Sequence, residues 1–422
     1  DPMTTALDLS TPLQLPCGVV LPNRIAKAAM SEGLADVNNH ATPRLERLYG
    51  RWATSGAGLL LSGNIQVDRR HLERAGNVVL DDDSGLPALV RVAAAGRAGG
   101  AHFWAQLSHT GRQVVAEINP APLAPSAVEV DVLRGAGYSF AKPRPMSEAD
   151  IEHAIAQFAN AATKARAAGF DGVELHGAHG YLISQFLSPH TNLRTDRWGG
   201  SLANRARFLL SVVRAVRAAV GPHYPIGLKL NASDFQKGAF THADCLAVIR
   251  MLNDASLDLL ELSGGSLEQP KVVGVALKDE GIDGARTSTS TREAYFIEFA
   301  AAARSVALMP VMVTGGFRTR AFMRRALADG ELDMIGIGRP LIAAPDAPAR
   351  LLAGDIEYAP TPEKHLQLLH QLSWFNVQLD RLGDGLEPLL HLDGAAAVAQ
   401  FVPREERAIA ALLEHRRARR SA

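Results

Sequence analysis

The chain has 422 residues, 47% of them apolar, and a formal net charge of zero with a pI of 7.4. That length suits one large α/β barrel with extensions. The balanced charge argues against nucleic acid as a partner and against electrostatic recruitment to a membrane. Two cysteines, Cys17 and Cys245, are too few for a cysteine-ligated iron–sulfur cluster or a disulfide scaffold and are expected as reduced, buried thiols. The apolar runs are too short to span a bilayer. No charged-then-apolar leader opens the chain, so a cytoplasmic location is expected.

Eight short runs rich in Val, Ile or Leu read as strands, at 24–29, 58–62, 101–107, 172–176, 226–230, 257–262, 311–314 and 334–338. Amphipathic segments between them read as helices at 43–55, 147–168, 201–220, 243–255, 291–306, 319–329 and 347–353. Thr42-Pro43 marks one helix start; Ser147-Glu-Ala-Asp150 marks another, with Gly169 as its stop. Strand and helix alternate, which predicts parallel strands with crossover helices. Eight such units without a break between halves predict a closed (β/α)8 barrel, and no Gly-x-Gly-x-x-Gly fingerprint supports the doubly wound alternative. The barrel is expected over residues 5–358, with a helical extension over 359–422 packed on the barrel or at an interface. Within that extension 362–382 and 404–420 read as helices. Two connections, 114–146 and 263–290, are long enough to be lids or binding loops.

In such a barrel the chemistry lies where the strands exit at their C-terminal ends. Polar and glycine residues gather there. Ser31 follows the first strand, Gly63 the second, and Gln106 ends the third. Lys229 ends the fifth, Ser263-Gly-Gly265 follows the sixth, Gly315-Gly316 the seventh, and Gly338-Arg339 closes the eighth. Glycines and an arginine after the last two strands suit a phosphate, because backbone N–H groups can approach it and a guanidinium can fork onto it. Gln106 carries a donor and an acceptor on one planar amide, the pattern a flavin pyrimidine edge would meet. Lys229 would supply positive charge at the same ring. Glu174 alternates onto the strand face of His176, and Lys229 is the expected partner of its buried carboxylate.

The fourth exit is the densest. His176, His179 and Tyr181 fall within six residues, interleaved with glycines. Two imidazoles can grip an electronegative atom, and a phenol can protonate its neighbour. A zinc site on the His-x-x-His pair stays open beside this reading, as in a metal-dependent barrel hydrolase, and would need a carboxylate as third ligand. The arginine run 416–420 reads as a solvated helix end.

These residues resemble the Old Yellow Enzyme family of FMN-dependent ene-reductases. The resemblance runs through Asn23-Arg-Ile-Ala-Lys-Ala-Ala-Met30, Gln106-Leu-Ser-His-Thr-Gly-Arg112, His176-Gly-Ala-His-Gly-Tyr-Leu-Ile-Ser-Gln-Phe-Leu-Ser-Pro189, Asn192-Leu-Arg-Thr-Asp-Arg-Trp-Gly-Gly200 and Ile337-Gly-Arg-Pro340. It implies FMN held at Ala29, Met30, Ser31, Gly63, Gln106, Lys229, Gly315, Gly316, Gly338 and Arg339. It implies NADH or NADPH as reductant and an electron-poor alkene (enone, nitroalkene or maleimide) as substrate. The substrate's oxygen would be gripped by His176 and His179, hydride would come from flavin N5, and Tyr181 would be the proton donor. A homodimer is a further expectation of the resemblance. The chain departs from the family at Lys229, where many relatives carry arginine. Gly33 replaces a tyrosine found in some of them, which predicts a roomier pocket.

Overall fold

The computed structural model of the protein describes residues 7–130, 139–234, 237–263 and 289–421. Eight parallel strands close into a barrel in chain order: β1 (Ile25–Lys27), β2 (Leu59–Gln66), β3 (His102–Ser108), β4 (Gly172–Gly177), β5 (Ile226–Asn231), β6 (Leu259–Ser263), β7 (Val311–Thr314) and β8 (Met334–Ile337). Strand β8 pairs back onto β1 and completes the ring. All the expected strands are present. Strand β2 runs four residues beyond its expected end at 62, because its register with β3 shifts between Leu61 and Asn64 and pairing then resumes to Gln66. The Ser62-Gly63 bulge had the look of a strand terminus.

The helices form the outer layer: α1 (Pro43–Ala53), α2 (Leu86–Arg97), α3 (Glu148–Ala168), α4 (Leu182–Leu187), α5 (Leu202–Val220), α6 (His242–Leu252), α7 (Thr289–Val306), α8 (Arg320–Ala328), α9 (Pro340–Ala343) and α10 (Ala347–Ala353). Helix α3 begins and ends where its sequence says. Ser147 and Asp150 form a capping box, and Gly169 takes a left-handed φ of 93°. Helix α2 is absent from the sequence reading. Its buried face is Leu89, Val92, Ala93 and Gly96, and it packs so tightly that a Cβ on Gly96 would lie 2.3 Å from the Phe103 ring.

The barrel floor is sealed by an antiparallel hairpin, Leu13–Gln14 with Val20–Leu21. Its leucines pack with Trp104, Leu59, Leu61, Leu259, Met312 and Met334 in an interior cluster. Beyond the barrel, a 3-10 turn (Pro362–His365) precedes α11 (Leu368–Gly383), and α12 (Gly394–Ser421) closes the chain. The expected helix 362–382 is therefore two elements. The expected helix 404–420 starts ten residues earlier, at Gly394, and carries Pro403 inside it. The Arg416 guanidinium at its end donates to the carbonyl of Arg69 at 2.6 Å. Cys17 and Cys245 are both free thiols, Cys245 buried and Cys17 half-buried. No helix among the described residues is long and apolar enough to cross a membrane.

Candidate active site

Successive residues of a strand face opposite sides, so the barrel interior is built in layers two residues apart. Above Trp104, Gly172, Gly227 and Leu259 stand Gln106, Glu174, Lys229 and Glu261. All four are at least 97% buried. Gln106 Nε2 donates to Glu174 Oε1 at 2.8 Å. The Lys229 ammonium lies 3.1 Å from Glu261 Oε1. The expected Glu174–Lys229 pair is thus replaced by Glu261–Lys229, because β5 and β6 set Lys229 and Glu261 directly opposite one another. Glu261, which the sequence reading passed over, is held below the usual carboxylate range by Lys229 against the opposing effect of burial. Burial and the Glu261 charge drive Glu174 far up, so Glu174 carries the proton between the two carboxyls.

One layer higher, β4 ends in the histidine motif. His176 and His179 lie with ring centroids 5.0 Å apart, and His176 and Tyr181 4.8 Å apart, each pair edge to face. The structure therefore brings the three residues together. His176 Nδ1 accepts from the Ala178 N–H at 3.3 Å, which leaves the proton of a neutral ring on Nε2. Burial, the neighbouring imidazole and Lys229 hold His176 well below its ordinary range. Burial and Lys229 push His179 down to about 3. Both rings are neutral donors near pH 7. His179 has φ 58°, a conformation that costs a non-glycine residue about 1–2 kcal/mol. Three contacts enforce it: its N–H donates to Asn231 Oδ1 at 3.1 Å, its carbonyl accepts from Gln113 at 2.9 Å, and Nε2 meets Ser263 Oγ at 2.9 Å. The Gly264-Gly265 pair after Ser263 lies outside the described residues.

The residues proposed from sequence to hold a flavin lie around the same end. Ala29, Met30 and Ser31 follow β1 and are half-buried, as are Gly315-Gly316 after β7 and Gly338-Arg339 after β8. The backbone at Gly315 and Gly316 has φ 114° and 82°, open to glycine and strained for any other residue. A Cβ on Gly338 would meet nothing closer than Met30 Sδ at 3.5 Å, so protein packing alone does not demand glycine there. The cradle fits a phosphate-bearing ligand, and the Gln106–Lys229 layer fits the polar edge of its ring. Gln106, Lys229 and Ser31 are also engaged by the carboxyls of Glu174, Glu261 and Glu73, and two further positions are partly engaged. The Gly63 N–H donates to Glu32 Oε1 and to the Tyr49 hydroxyl, both at 2.9 Å. Arg339 reaches Gln371 Oε1 at 3.2 Å.

The rim holds what sequence reasoning missed. The loop after β2 supplies Glu73 and Arg74. Arg74 pairs with Glu405 of α12 at 2.8 Å and donates to Asn376 of α11 at 2.7 Å. Its guanidinium fills the space beside Gly33, where a Cβ would lie 2.5 Å from Cζ. The room expected from Gly33 is therefore taken by an arginine tied to the C-terminal extension. The polar stretch 192–200 is structural: Asn192 Nδ2 donates to the carbonyls of Phe186 and Trp198, and Arg194 to those of Pro125 and Met146.

Among the described residues the group of three potential metal ligands is Asp68, His71 and His109, not the His176 pair. His71 Nε2 accepts from the Leu123 N–H and His109 Nδ1 from the Gly111 N–H, each at 3.0 Å. The other ring nitrogens, His71 Nδ1 and His109 Nε2, face Asp68 Oδ2 at 3.4 and 3.9 Å. The two histidines hold the Leu123 and Gly111 backbone, and His109 opens the loop that delivers Gln113 to His179.

Residues 8–355 match the NADH:flavin oxidoreductase / NADH oxidase family. The chain belongs to that family. It is 36% identical over 359 residues to an NADH-dependent flavin oxidoreductase of Neonectria sp. (strain DH2), covering 81% of this chain and 47% of that protein, so it spans about half of that relative's length. It is 34% identical over 364 residues to an NADH-dependent flavin oxidoreductase of Hypocrea jecorina (strain QM6a), covering 82% of this chain and 89% of that one. An old yellow enzyme homologue from Zymomonas mobilis superposes with a TM-score of 0.68 at 25% identity, covering 84% of this chain and 95% of the other. Membership makes this chain a flavin oxidoreductase, with FMN as prosthetic group and a reduced nicotinamide as reductant.

Proposed function

We propose that the chain reduces electron-poor C=C bonds (those of enones, nitroalkenes and maleimides), with NADH as the preferred reductant. The NADH-dependent names of its relatives support that preference. The observation that carries the reading is the pair of neutral imidazoles with a phenol against them, above a buried layer that bears one ammonium. Bound FMN supplies the hydride. Ala29, Met30, Ser31, Gly63, Gln106 and Lys229 would hold its ring, and Gly315, Gly316, Gly338 and Arg339 its phosphate. His176 Nε2–H and the His179 ring donate to the substrate's carbonyl or nitro oxygen and take up the negative charge that develops there. Tyr181 protonates the neighbouring carbon. Burial and the Glu73 carboxylate raise its pKa well above the ordinary phenol value, so it stays in the acid form. The barrel over 5–358 carries this chemistry, and the extension over 359–422 braces its rim through Asn376 and Glu405.

The test is an absorbance spectrum of the purified protein followed by anaerobic titration with NADH and NADPH. A flavin band bleached by NADH and restored by cyclohexenone is the expected result. A band that bleaches but is not restored by enones, nitroalkenes or maleimides would overturn the substrate class and leave the oxidoreductase.

A further inference from the structure

The arginine run at the end of α12 is only partly solvated. Positions three and four apart share a helix face, so Arg416, Arg419 and Arg420 stand on one side of α12. All three line a cavity of about 440 Å³, together with Arg69 and Arg70 from the loop after β2 and with Asn38 and Asn39 from the loop after β1. The cavity therefore belongs to the end of the barrel where β1 and β2 exit, but none of its lining residues is in the flavin cradle.

Counter-charge is unevenly spread there. Arg69 pairs with Asp81 and, at 2.6 Å, with Asp82; Arg70 pairs with Asp68 at 2.6 Å. The Arg416 guanidinium meets carbonyls, that of Arg69 at 2.6 Å and that of Ile118 at 3.4 Å. Among the described residues Arg416, Arg419 and Arg420 make no ion pair. Five guanidiniums thus stand against three carboxylates (Asp68, Asp81 and Asp82), a surplus of two positive charges. Burial and the repulsion of Arg69 and Arg420 hold Arg416 below its ordinary range. The dipole of α12 accounts for only part of this, since a helix C-terminus carries about half a negative charge. Arg69 and Arg70, on another segment, answer to no such dipole.

Two surplus charges on forked, planar donors complement one phosphate dianion. The volume is that of a small-molecule site, about 300–1,000 Å³, rather than of a bare ion. Arg419 and Arg420 are exposed, which leaves the cavity open to solvent. We propose that this cavity binds a phosphate dianion, free or as the terminal group of a small organic phosphate, at a site separate from the flavin's. The loops that wall it continue to the flavin end, the first through Ser31 and the second through Glu73 and Arg74. A phosphate bound there ties both loops to α12.

The experiment uses the flavin-loaded protein, so that the flavin's own phosphate site is filled. Binding of inorganic phosphate and of adenosine 5′-monophosphate is measured by titration calorimetry in about 0.15 M salt, where charges more than about 8 Å apart are largely screened. Wild type is compared with R420Q, R419Q/R420Q and R407Q. Arg407 is exposed on the same helix, about 14 Å back from Arg416, and R407Q removes one charge without touching the cavity. Arg419 and Arg420 are both exposed, so their replacement is expected to leave the fold and flavin reduction by NADH as in wild type. One site per chain is expected in wild type, weakened about tenfold or more in R419Q/R420Q and essentially unchanged in R407Q. Tighter binding of the nucleotide than of phosphate would support the site and assign it to an organic phosphate; equal or weaker binding would support it and assign it to the free anion. Absence of binding of both probes to wild type would overturn the proposal. So would equal weakening by R407Q and R420Q, the sign of overall charge rather than a site. Binding to vesicles of phosphatidylcholine and phosphatidylserine without binding of either probe would also overturn it, and would make the helix end a membrane contact. None of these results depends on turnover, so they leave the ene-reductase reading to its own test.

Discussion

The floor and the rim of this site are built by different rules. The floor (Gln106, Glu174, Lys229, Glu261) stands on strands, each residue two positions beyond a member of the layer below. Hydrogen-bonded register fixes the depth of every group. The rim is assembled from loops and from the C-terminal extension, with Arg74 meeting Glu405 across 331 residues of sequence and Arg404 donating to the Gly33 carbonyl across 371. Side-chain hydrogen bonds and ion pairs, rather than register, hold it in place. The floor supplies a fixed charge pattern. The rim supplies the shape.

The sharpest way to break that division is Tyr181→Phe. If the phenol is the acid and nothing else, alkene reduction falls by about 10²-fold or more, the usual worth of a positioned general acid. Reduction of the flavin by NADH, measured alone in a stopped-flow instrument, stays near wild type. Equal losses in both half-reactions would move Tyr181 from chemistry to architecture.

Next in size is the floor itself. Lys229→Met keeps the length of the side chain and leaves Glu261 as a buried carboxylate without its cation. Breaking a buried pair from one side costs about 3–5 kcal/mol, and denaturant unfolding at pH 7 should read a loss of that order. The Glu261 pKa is depressed in the folded protein, so the pair's stabilisation is present above the unfolded carboxylate value and is lost as pH falls. The gap between wild type and Lys229→Met should therefore narrow in acid. Glu174→Gln should cost less than about 1 kcal/mol, since Glu174 already carries the proton and an amide replaces it in kind. A large loss from Glu174→Gln with a small one from Lys229→Met would reverse the pairing.

Legibility in the sequence follows the same line. The strands, the capping box of α3, the His176–His179–Tyr181 group and the glycine-rich exits of β7 and β8 are local patterns, and each stands where its pattern places it. Glu261 is also on a strand, but it lies in a run, Leu259-Leu-Glu-Leu262, whose pairing partner depends on which strand lies alongside. Its neighbour Lys229 was assigned to the wrong carboxyl for that reason. Helix α2 escaped because half of its inner face, Ala93 and Gly96 beside Leu89 and Val92, is small, which weakens its amphipathic signal. Arg74 and Glu73 could not be placed at all. Their loop has no periodicity, and apart from Asn64 their side-chain partners are on another loop or hundreds of residues away. The prediction of space at Gly33 failed for the same cause: a glycine tells what its own position leaves empty, not which distant side chain fills it.

The rim can be loosened without touching the chemistry. Glu405→Ala removes the partner of Arg74, whose side chain is 12% exposed against 22% for the glutamate. Partial exposure places the cost at about 1–2 kcal/mol, below that of the floor. A double-mutant cycle with Arg74→Met should recover most of it as coupling. With Arg74 untethered, the space beside Gly33 opens, and bulkier enones should gain relative to cyclohexenone.

The smallest effect near neutral pH comes from the histidines, and its direction is opposite to what a charged oxyanion site would give. His179 is neutral in the folded protein down to about pH 3. In the unfolded chain its imidazole takes a proton near pH 6.5. Between these values the unfolded state binds the extra proton, so this contribution to stability is fully present above pH 6.5 and declines as pH falls toward 3. The slope approaches about 1.4 kcal/mol per pH unit per histidine well below pH 6.5. Unfolding free energies measured between pH 7.5 and 5 should fall with acid in wild type and less steeply in His179→Gln. A substrate-binding step that strengthens in the same range would indicate that the imidazoles act as cations instead. A step insensitive to pH there is what two neutral N–H donors require, because nothing in their charge changes until the fold itself is at risk.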